Sequence, residues 1–316
     1  MTTRDYLKSS DFDREKTLEL FELAAGVKQQ VKQRHFLDLL SGCHAAMIFQ
    51  KPSLRTRVTF DIGLKQLGAT GIYLSPAEIS LGVRESVYDV ARNLERWVDL
   101  VIARVFEQAA VEELAQVGAP PVINALSDDE HPCQAMADFF TLYERGVQWN
   151  DFHFTYVGDG NNVCNSLMIT GAILGLNLRI GSPARYAPSK ALIEQTQALC
   201  RASGGSLLIT DDPREAVRGA NAVYTDVWAS MGQEEEAGSR KAFFEPFQVN
   251  AELMKLAAKD AFFMHDLPAH RGEEVTDEVI DGPTSLVFDQ AENRLHIQKA
   301  IILEVMDQAE AARATF

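Results

Sequence analysis

The sequence predicts an α/β protein built from two similar domains, each a mainly parallel sheet flanked by helices. The chain has 316 residues, which is more than one hydrophobic core usually supports. Hydrophobic residues make up 46% and charged residues 24%, as is typical of a folded globular protein. Short apolar runs alternate with helical patterns, which favours right-handed βαβ units. We expect the active site in the cleft between the two domains.

In the first half of the chain, short apolar runs are expected to form buried strands. They lie at residues 45–49, 72–74, 100–103 and 122–125. A helix is expected to begin near residues 10–13, where polar residues precede a periodic apolar segment, and another covers residues 57–67. A helix over residues 130–145 would connect the two halves.

The second half repeats this arrangement. Strands are expected at residues 152–157, 177–180, 222–225 and 261–264. Helices are expected at residues 163–174 and, as the last long element, at residues 294–312. We therefore expect a first domain over residues 1–135, joined by the C-terminal helix at about residues 295–316, and a second domain over residues 136–294.

Charge and cysteine content limit the classes of partner. The formal net charge is −15, which argues against nonspecific binding to nucleic acid. The four cysteines form no CxxC pair, so we expect reduced thiols in a cytoplasmic protein. The N-terminus lacks an apolar signal core, and no apolar run approaches the roughly 20 residues needed to span a bilayer. We expect neither a nucleic-acid nor a membrane partner.

The segment Ser53–Arg57 is the strongest local indication of a ligand site. It comes just after a predicted strand and opens a predicted helix, whose start offers backbone N–H groups and the positive end of the helix dipole. Ser53 and Thr56 add hydroxyls, and Arg55 adds a planar guanidinium suited to phosphate oxygens. These features favour a dianionic phosphate. A capped helix with solvent-exposed arginines is the alternative.

Two further segments place polar side chains after predicted strands. Arg104 ends an apolar strand, which is where open α/β sheets bind ligands. His131 and Gln134 lie at the start of the predicted connecting helix, where they can hydrogen-bond a carbonyl or an amide. A capping or structural role for His131 remains the alternative.

Residues 51–57, Lys-Pro-Ser-Leu-Arg-Thr-Arg, and residues 131–134, His-Pro-Cys-Gln, resemble two motifs of the aspartate/ornithine carbamoyltransferase family. The resemblance implies that the Ser-x-Arg-Thr segment holds the phosphate of carbamoyl phosphate. It also implies that His131 and Gln134 contact the carbamoyl carbonyl and amide. The residues it assigns to carbamoyl phosphate are Ser53, Leu54, Arg55, Thr56, Arg104, His131, Gln134, Leu267 and Arg294.

Residues 158–163, Gly-Asp-Gly-Asn-Asn-Val, resemble part of a dinucleotide-binding fingerprint. Val163 stands where Gly or Ala should allow close packing, and Ile180 is followed by Gly-Ser, so no acidic residue ends the next strand. A nicotinamide cofactor is therefore not expected. Asn161 and Asn162 instead offer amide groups after a predicted strand, although asparagine also suits a plain turn.

Residues 226–232, Asp-Val-Trp-Ala-Ser-Met-Gly, follow another predicted strand. Asp226 can pair with an ammonium, and the following Ser-Met-Gly turn can offer N–H groups to a carboxylate, as an α-amino acid requires. A structural Asp-to-Gly loop is the alternative. Together with residues 158–162, the segment resembles the ornithine branch of the family. The resemblance assigns the α-amino and carboxylate groups of L-ornithine to Asn162, Asp226, Ser230 and Met231.

The resemblance covers nearly the whole chain, including residues 265–268 and 288–296. Arg294 matches an arginine that helps to bind carbamoyl phosphate, and Leu267 matches a residue whose backbone carbonyl faces the carbamoyl amide. Two positions depart from the family pattern. Leu54 replaces a threonine, which removes a hydroxyl but keeps the backbone N–H.

The second departure is Asp266, which replaces a cysteine that lies close to the reacting amine in the family. Asp266 could pair with the ammonium form of the acceptor and raise its pKa. It could also act as a general base or select a different amine. A side chain that points away from the site is a further alternative.

The resemblance implies direct transfer of the carbamoyl group to the side-chain amine of L-ornithine, without a covalent nucleophile, a metal or another cofactor. The catalytic residues that we expect are Arg55, Arg104, His131 and Asp266. The resemblance also implies a homotrimer or a multiple of trimers. Two alternatives remain open. One is a related transcarbamylase acting on another amine, such as lysine or a modified ornithine, and the other is a non-catalytic protein that has kept phosphate binding.

Overall fold

The computed structural model describes residues 5–229 and 237–316. The chain folds into two compact units. The first extends to Phe140 and includes Glu292–Phe316, and the second covers Thr141–Ala291. Each unit contains a parallel sheet flanked by helices, which confirms the predicted fold class.

The sheet of the first unit has four parallel strands in the order β2-β1-β3-β4. The strands are β1 (His44–Phe49), β2 (Thr70–Leu74), β3 (Leu100–Arg104) and β4 (Val122–Leu126). β3 and β4, which are mostly apolar, are buried along their whole length, whereas the edge strand β2 is half-exposed. All four strands predicted in this half are confirmed.

The helices of this part of the chain start where short polar side chains can cap them. They are α1 (Arg14–Lys32), α2 (Leu54–Gln66), α3 (Pro76–Ile79), α4 (Val87–Leu94), α5 (Gln108–Val117) and α6 (Pro132–Glu144). Asp13, Ser53 and Ser86 each accept a backbone N–H from the first turn of the helix that follows. The capped starts of α1 and α2 lie close to those predicted, and α6 confirms the predicted connecting helix.

The sheet of the second unit has five parallel strands in the order β7-β6-β5-β8-β9. The strands are β5 (His153–Val157), β6 (Asn177–Gly181), β7 (Ser206–Thr210), β8 (Ala222–Tyr224) and β9 (Phe262–Met264). Four of them confirm predicted strands. The edge strand β7 was not predicted, although its apolar run, Leu207–Ile209, is as long as the run at residues 72–74 that predicted β2.

Helices cover the second unit as well. They are α7 (Asn162–Leu174), α8 (Lys190–Ser203), α9 (Pro213–Val217), α10 (Ala237–Phe244), α11 (Ala251–Met254) and α12 (Asp277–Ile280). α7 follows β5 directly and is buried from Val163 to Leu174, except for Asn165. This helix begins at the turn that carries the predicted amide groups.

The C-terminal segment differs from the prediction. Instead of one helix over residues 294–312, the structure has α13 (Val287–Val305) and α14 (Ala309–Arg313). Asp307 between them has a φ of 55°, a left-handed conformation that an α-helix cannot contain. Within the described residues, no helix combines the length and the apolar character needed to cross a bilayer.

Candidate active site

The predicted phosphate segment forms a capped helix start in the first unit. Ser53 has an extended backbone, and its Oγ accepts the N–H of Thr56 at 3.2 Å. The first turn of α2 therefore lies just after the strand β1, with its N–H groups and its dipole available to an anion. Leu54 is 74% exposed, and its apolar side chain has no hydrogen-bonding group. The group of Leu54 that can bind an anion is therefore its backbone N–H.

Arg294 connects α13 to two of the predicted binding segments. Its side chain is 2% exposed. Nη2 donates to Thr56 Oγ1 at 3.2 Å, Nη1 donates to Gln134 Oε1, and Nε donates to Gln298 Oε1 at 2.8 Å. Arg294 thus contacts Thr56 and Gln134, two residues that the sequence assigned to the same ligand.

His131 lies in a cationic environment just before α6. Its side chain is buried, and burial lowers the pKa of His131 well below its ordinary value. The positive charges of Arg294, Arg104 and Arg55 lower this pKa further. His131 is therefore neutral near pH 7, and a neutral imidazole can donate a hydrogen bond to a carbonyl oxygen without adding charge.

The first unit thus brings together the side chains that suit carbamoyl phosphate. The charges of three guanidinium groups lower the pKa of the buried His131 imidazole. One of these groups, that of Arg294, donates to the Thr56 hydroxyl at the start of α2. Guanidinium forks and a helix N-terminus are the groups that bind phosphate oxygens in proteins. The arrangement can stabilise negative charge on a bound phosphate and on an adjacent carbonyl oxygen.

In the second unit, the turn after β5 contacts the end of β8. Asn161 caps α7, since its Oδ1 accepts the N–H of Cys164 at 3.0 Å. Its Nδ2 donates to Asp226 Oδ2 at 2.6 Å. Asn162, which the sequence assigned to ornithine, lies next to it, and its Oδ1 accepts the N–H of Val163. Asn161 is therefore the amide that orients Asp226.

The buried Asp226 and the partly buried Asp266 form a pair of carboxyl groups, with oxygen atoms within 4.8 Å of each other. Burial raises the pKa of Asp226 well above its ordinary value, and the neighbouring charge of Asp266 raises it further. The side chain of Asp266 therefore points towards Asp226 and not away from it.

His265 holds Asp266 from the other side. Nδ1 lies 3.3 Å from Asp266 Oδ1, and Nε2 lies 3.2 Å from Oε1 of the buried Glu274. Burial lowers the pKa of His265, and the carboxylates of Asp266 and Glu274 outweigh burial and raise it. In the arrangement observed, Nδ1 accepts the Leu267 N–H at 2.8 Å, so Nδ1 carries no proton and does not donate to Asp266. The proton of this ring is on Nε2 and is directed at Glu274.

The remaining predicted residues of this unit are Leu267, Ser230 and Met231. Leu267 has a φ of 59°, a left-handed conformation that is uncommon for a branched residue, and its N–H bond to His265 helps to hold it. The left-handed backbone turns the chain just after Asp266. Ser230 and Met231 lie outside the described residues.

Asp226, His265 and Asp266 offer ligand atoms within 4.8 Å of one another, which is a spacing that a cation could use. Nδ1 of His265 already accepts the Leu267 N–H, and Asp226 Oδ2 already accepts Asn161 Nδ2. A metal would have to replace these interactions.

Sequence reasoning missed the groups that orient the predicted residues. Glu274 orients the His265 ring, and Gln290 Oε1 accepts the backbone N–H of His265 at 3.1 Å. Asn161 holds Asp226. Asn161 was predicted to offer an amide group, but its contact with Asp226 was not predicted. Glu274 lies in an ordinary charged stretch, and no local pattern distinguishes it from Glu273.

Comparison with known proteins gives a consistent result over the whole chain. The carbamoyl-P binding domain of aspartate/ornithine carbamoyltransferase matches residues 4–144, and the Asp/Orn binding domain matches residues 150–305. An ornithine carbamoyltransferase of Thermococcus kodakarensis is 50% identical, with 96% of each chain covered.

Two further comparisons involve Pyrococcus furiosus. Its protein named "Ornithine carbamoyltransferase, anabolic" is 48% identical, with 96% of each chain covered. A solved ornithine carbamoyltransferase structure from the same organism superposes with a TM-score of 0.94, covering 97% of this chain and 98% of that one at 48% identity. The chain belongs to the aspartate/ornithine carbamoyltransferase family.

Proposed function

We propose that the protein transfers the carbamoyl group of carbamoyl phosphate to the side-chain amine of L-ornithine, giving L-citrulline and phosphate. The observation that carries this proposal is the buried Arg294 of the first unit, which donates to Thr56 Oγ1 and to Gln134 Oε1 and so joins the two motifs assigned to carbamoyl phosphate. The names of the relatives at 45–50% identity support ornithine as the acceptor. The name of the Pyrococcus furiosus relative supports net synthesis of citrulline, as in arginine biosynthesis.

Carbamoyl phosphate is proposed to bind mainly to the first unit. Ser53, Thr56, Arg55 and the backbone N–H of Leu54 hold the phosphate at the start of α2. Arg104, His131, Gln134 and Arg294 hold the carbamoyl end. The backbone carbonyl of Leu267 accepts a hydrogen bond from the carbamoyl amide, as the family resemblance implies. The contact of Arg294 with Thr56 and Gln134 supports this assignment.

Ornithine is proposed to bind to the second unit. Asn162, Asp226, Ser230 and Met231 hold its α-amino and carboxylate groups, by family resemblance. Asp266 faces the side-chain amine. The buried carboxyl pair of Asp226 and Asp266 supports a site for two ammonium groups on one small molecule.

The chemistry proceeds by direct attack, with Asp266 as the proposed base. The side-chain ammonium of ornithine gives a proton to the Asp266 carboxylate and becomes a neutral amine. The amine nitrogen bonds to the carbamoyl carbon, and Arg55, Arg104 and His131 stabilise the negative oxygen of the tetrahedral intermediate. The bond from that carbon to the phosphate oxygen then breaks, and the departing phosphate takes the remaining extra proton from the nitrogen.

We further propose that the protein self-associates, as a homotrimer or a multiple of trimers, and resides in the cytoplasm. Leu54, Val58 and Ile62 are spaced four residues apart on α2 and are 74%, 47% and 38% exposed. This spacing places them on one face of the helix, and an exposed apolar stripe is typical of a surface covered by another copy. All four cysteines are free thiols, in keeping with a reducing compartment.

One observation favours a second candidate function. Asp266 adds a carboxylate where the family has a cysteine, so this site attracts a positively charged group of the acceptor more strongly. A related transcarbamylase acting on lysine or a modified ornithine would use the same groups with a different acceptor.

The decisive experiment measures product formation from carbamoyl phosphate across pH 6–10 with L-ornithine, L-lysine and putrescine as parallel acceptors. Citrulline formation with a clear preference for ornithine is the expected result. Product from lysine alone would replace ornithine by the second candidate. No product from any acceptor, together with a carbamoyl-phosphate-induced rise in melting temperature, would indicate a non-catalytic binding protein.

A further inference from the structure

Arg240, in α10, is a buried cation that contacts three other segments of the second unit. Its side chain is 4% exposed. Nη2 donates to Asp159 Oδ2 in a close ion pair, and Nε donates to the carbonyl of Trp228 at 2.7 Å. The guanidinium carbon lies 4.4 Å from the centroid of the Tyr186 ring. One side chain therefore connects segments that are distant in sequence.

The three contacted segments follow adjacent strands. Asp159 comes after β5, Tyr186 after β6 and Trp228 after β8, and the sheet order places these strands side by side. Because the strands are parallel, their carboxyl ends lie at one edge of the sheet. Open α/β sheets bind their ligands at this edge. Arg240 thus ties together three loops at the ligand-binding edge.

The same loops carry the residues proposed to bind the acceptor amino acid. Asn161 lies two residues after Asp159 and donates to Asp226, which in turn lies two residues before Trp228. The turn is also braced by Tyr186, whose carbonyl accepts the Gly160 N–H at 2.8 Å. A displacement of Asp159 would therefore move Asn161 and, through it, the carboxyl group of Asp226.

A guanidinium suits this task better than an ammonium. It donates hydrogen bonds in several directions within its plane, while its face stacks on an aromatic ring. A buried ion pair contributes little net stability, because removing both charges from water offsets most of their attraction. What the pair of Arg240 and Asp159 adds over apolar packing is a defined geometry.

We infer that Arg240, held by Asp159, is a positioning residue for the acceptor amino acid, setting the spacing of the loops that carry Asn162 and Asp226. The inference rests on the proposed function, since it takes these two residues as ligands of ornithine. Arg240 acts through the loops and is not assigned a contact with substrate.

The test compares the double variant R240M/D159N, which buries no unpaired charge, with R240K and with R185M as a matched control. Arg185 lies 5.8 Å from the centroid of the same Tyr186 ring, but its side chain is exposed. For each variant, melting temperature, kcat and the KM of both substrates are measured. Binding of L-norvaline, which is ornithine without its side-chain amine, is measured by calorimetry in the presence of carbamoyl phosphate.

We expect the double variant to fold and to raise both the ornithine KM and the L-norvaline Kd by about tenfold or more. The carbamoyl-phosphate KM should stay within about twofold of wild type, R240K should be intermediate, and R185M should match wild type. A folded double variant with unchanged ornithine KM and L-norvaline Kd would overturn the inference. So would an equal rise in the KM of both substrates.

Two further results separate the possible failures. If the double variant does not fold, D159N alone replaces it, because this variant keeps an amide for Arg240 to contact. D159N should raise the ornithine KM and the L-norvaline Kd selectively but by a smaller factor. No such rise would overturn the inference. If wild type forms no citrulline but binds L-norvaline, the proposed function fails, and the L-norvaline Kd of the variants decides the positioning role. A wild type that binds no L-norvaline would overturn the inference as well.

Discussion

Asp266 shows how one residue can change the electrostatics of a site without changing its framework. A cysteine thiol is neutral near pH 7, whereas Asp266 places a second carboxyl group against the buried Asp226. The pair retains a proton at a higher pH than either group would alone. As the pH rises through the raised pKa of Asp226, the pair becomes doubly negative and its attraction for an ammonium increases.

D266N is expected to separate the binding and chemical roles of this pair. Without the charge of Asp266 the pKa of Asp226 falls, so the acid limb of log(kcat/KM) for ornithine should move to lower pH. Loss of the base should lower kcat by about 10²-fold. The measurement is a pH–rate profile over pH 5–10, with D260N at an exposed position as the control. An acid limb that stays at the same pH would show that the charge of Asp266 does not raise the pKa of Asp226.

R294M should weaken carbamoyl-phosphate binding selectively. The substitution removes a guanidinium from the cluster around His131 and leaves the amide oxygens of Gln134 and Gln298 without this donor. We expect the carbamoyl-phosphate KM to rise about tenfold or more. The free energy of unfolding should fall by about 1–3 kcal/mol. Steady-state kinetics and urea denaturation check both values, with R92M on the exposed face of α4 for comparison. An unchanged carbamoyl-phosphate KM would remove Arg294 from the site.

Among the elements, the turn between β5 and α7 depends on a glycine. A Cβ on Gly160 would lie 2.5 Å from Pro188 N and 2.6 Å from the Tyr186 carbonyl oxygen, both of which are backbone atoms. Backbone cannot yield as a flexible side chain does, so the turn must shift.

G160A is therefore expected to destabilise the protein by about 1–3 kcal/mol. It should also raise the ornithine KM, because the shifted turn carries Asn161 and Asn162. Thermal unfolding and kinetics provide the two measurements. G238A is the matched control, since a Cβ there meets nothing within 4 Å and alanine favours the helix. Equal effects of the two substitutions would contradict the steric explanation.

The helix α13 carries a buried lysine whose charge opposes folding. Lys299 Nζ donates to Gln66 Oε1 at 2.6 Å, and burial lowers the pKa of Lys299 to about 7 from an ordinary value of 10.5. Between these values the folded state binds fewer protons than the unfolded state. Stability therefore rises with pH across this window, and the full cost of burying the lysine applies below pH 7.

K299M should stabilise the protein most near pH 7 and progressively less towards pH 10. The gain over wild type should shrink by up to about 1.4 kcal/mol per pH unit across the window. Urea denaturation at three pH values measures it, and K190M on the exposed start of α8 serves as the control. A gain that does not vary with pH would show that Lys299 keeps its charge in the folded state.

At the scale of the whole molecule, the apolar stripe on α2 bears on assembly. V58K/I62K places two charges on this face while leaving the residues proposed to bind carbamoyl phosphate in place. If the stripe is the contact between copies, sedimentation should shift from an oligomer to a monomer, because burying unpaired lysines opposes association. L208K, at an exposed position of β7, should sediment as wild type does. A double variant with wild-type sedimentation would place the contact elsewhere.

The local pattern of the chain determined much of the fold. A continuous apolar run predicted β3 and a mostly apolar one predicted β4, because a strand of a parallel sheet is covered on both faces. Ser53 predicted the start of α2, because a short hydroxyl side chain caps the N–H groups of its own helix. Each of these features depends on residues that are close in sequence. The types of residue at the candidate sites, from Arg55 to Asp266, could be recognised in the same way.

Only the tertiary structure decided how those residues act on one another. Arg294 contacts Thr56 across 238 positions and Gln134 across 160, and Arg240 contacts Asp159 across 81. The side chain of Asp266 points at Asp226, and Glu274 orients His265 beside Asp266. Hydrogen bonds and pKa values depend on distance and burial, and both arise from the packing of distant segments. The sequence by itself therefore determined the elements and the chemical groups, whereas the tertiary structure determined their partners and protonation.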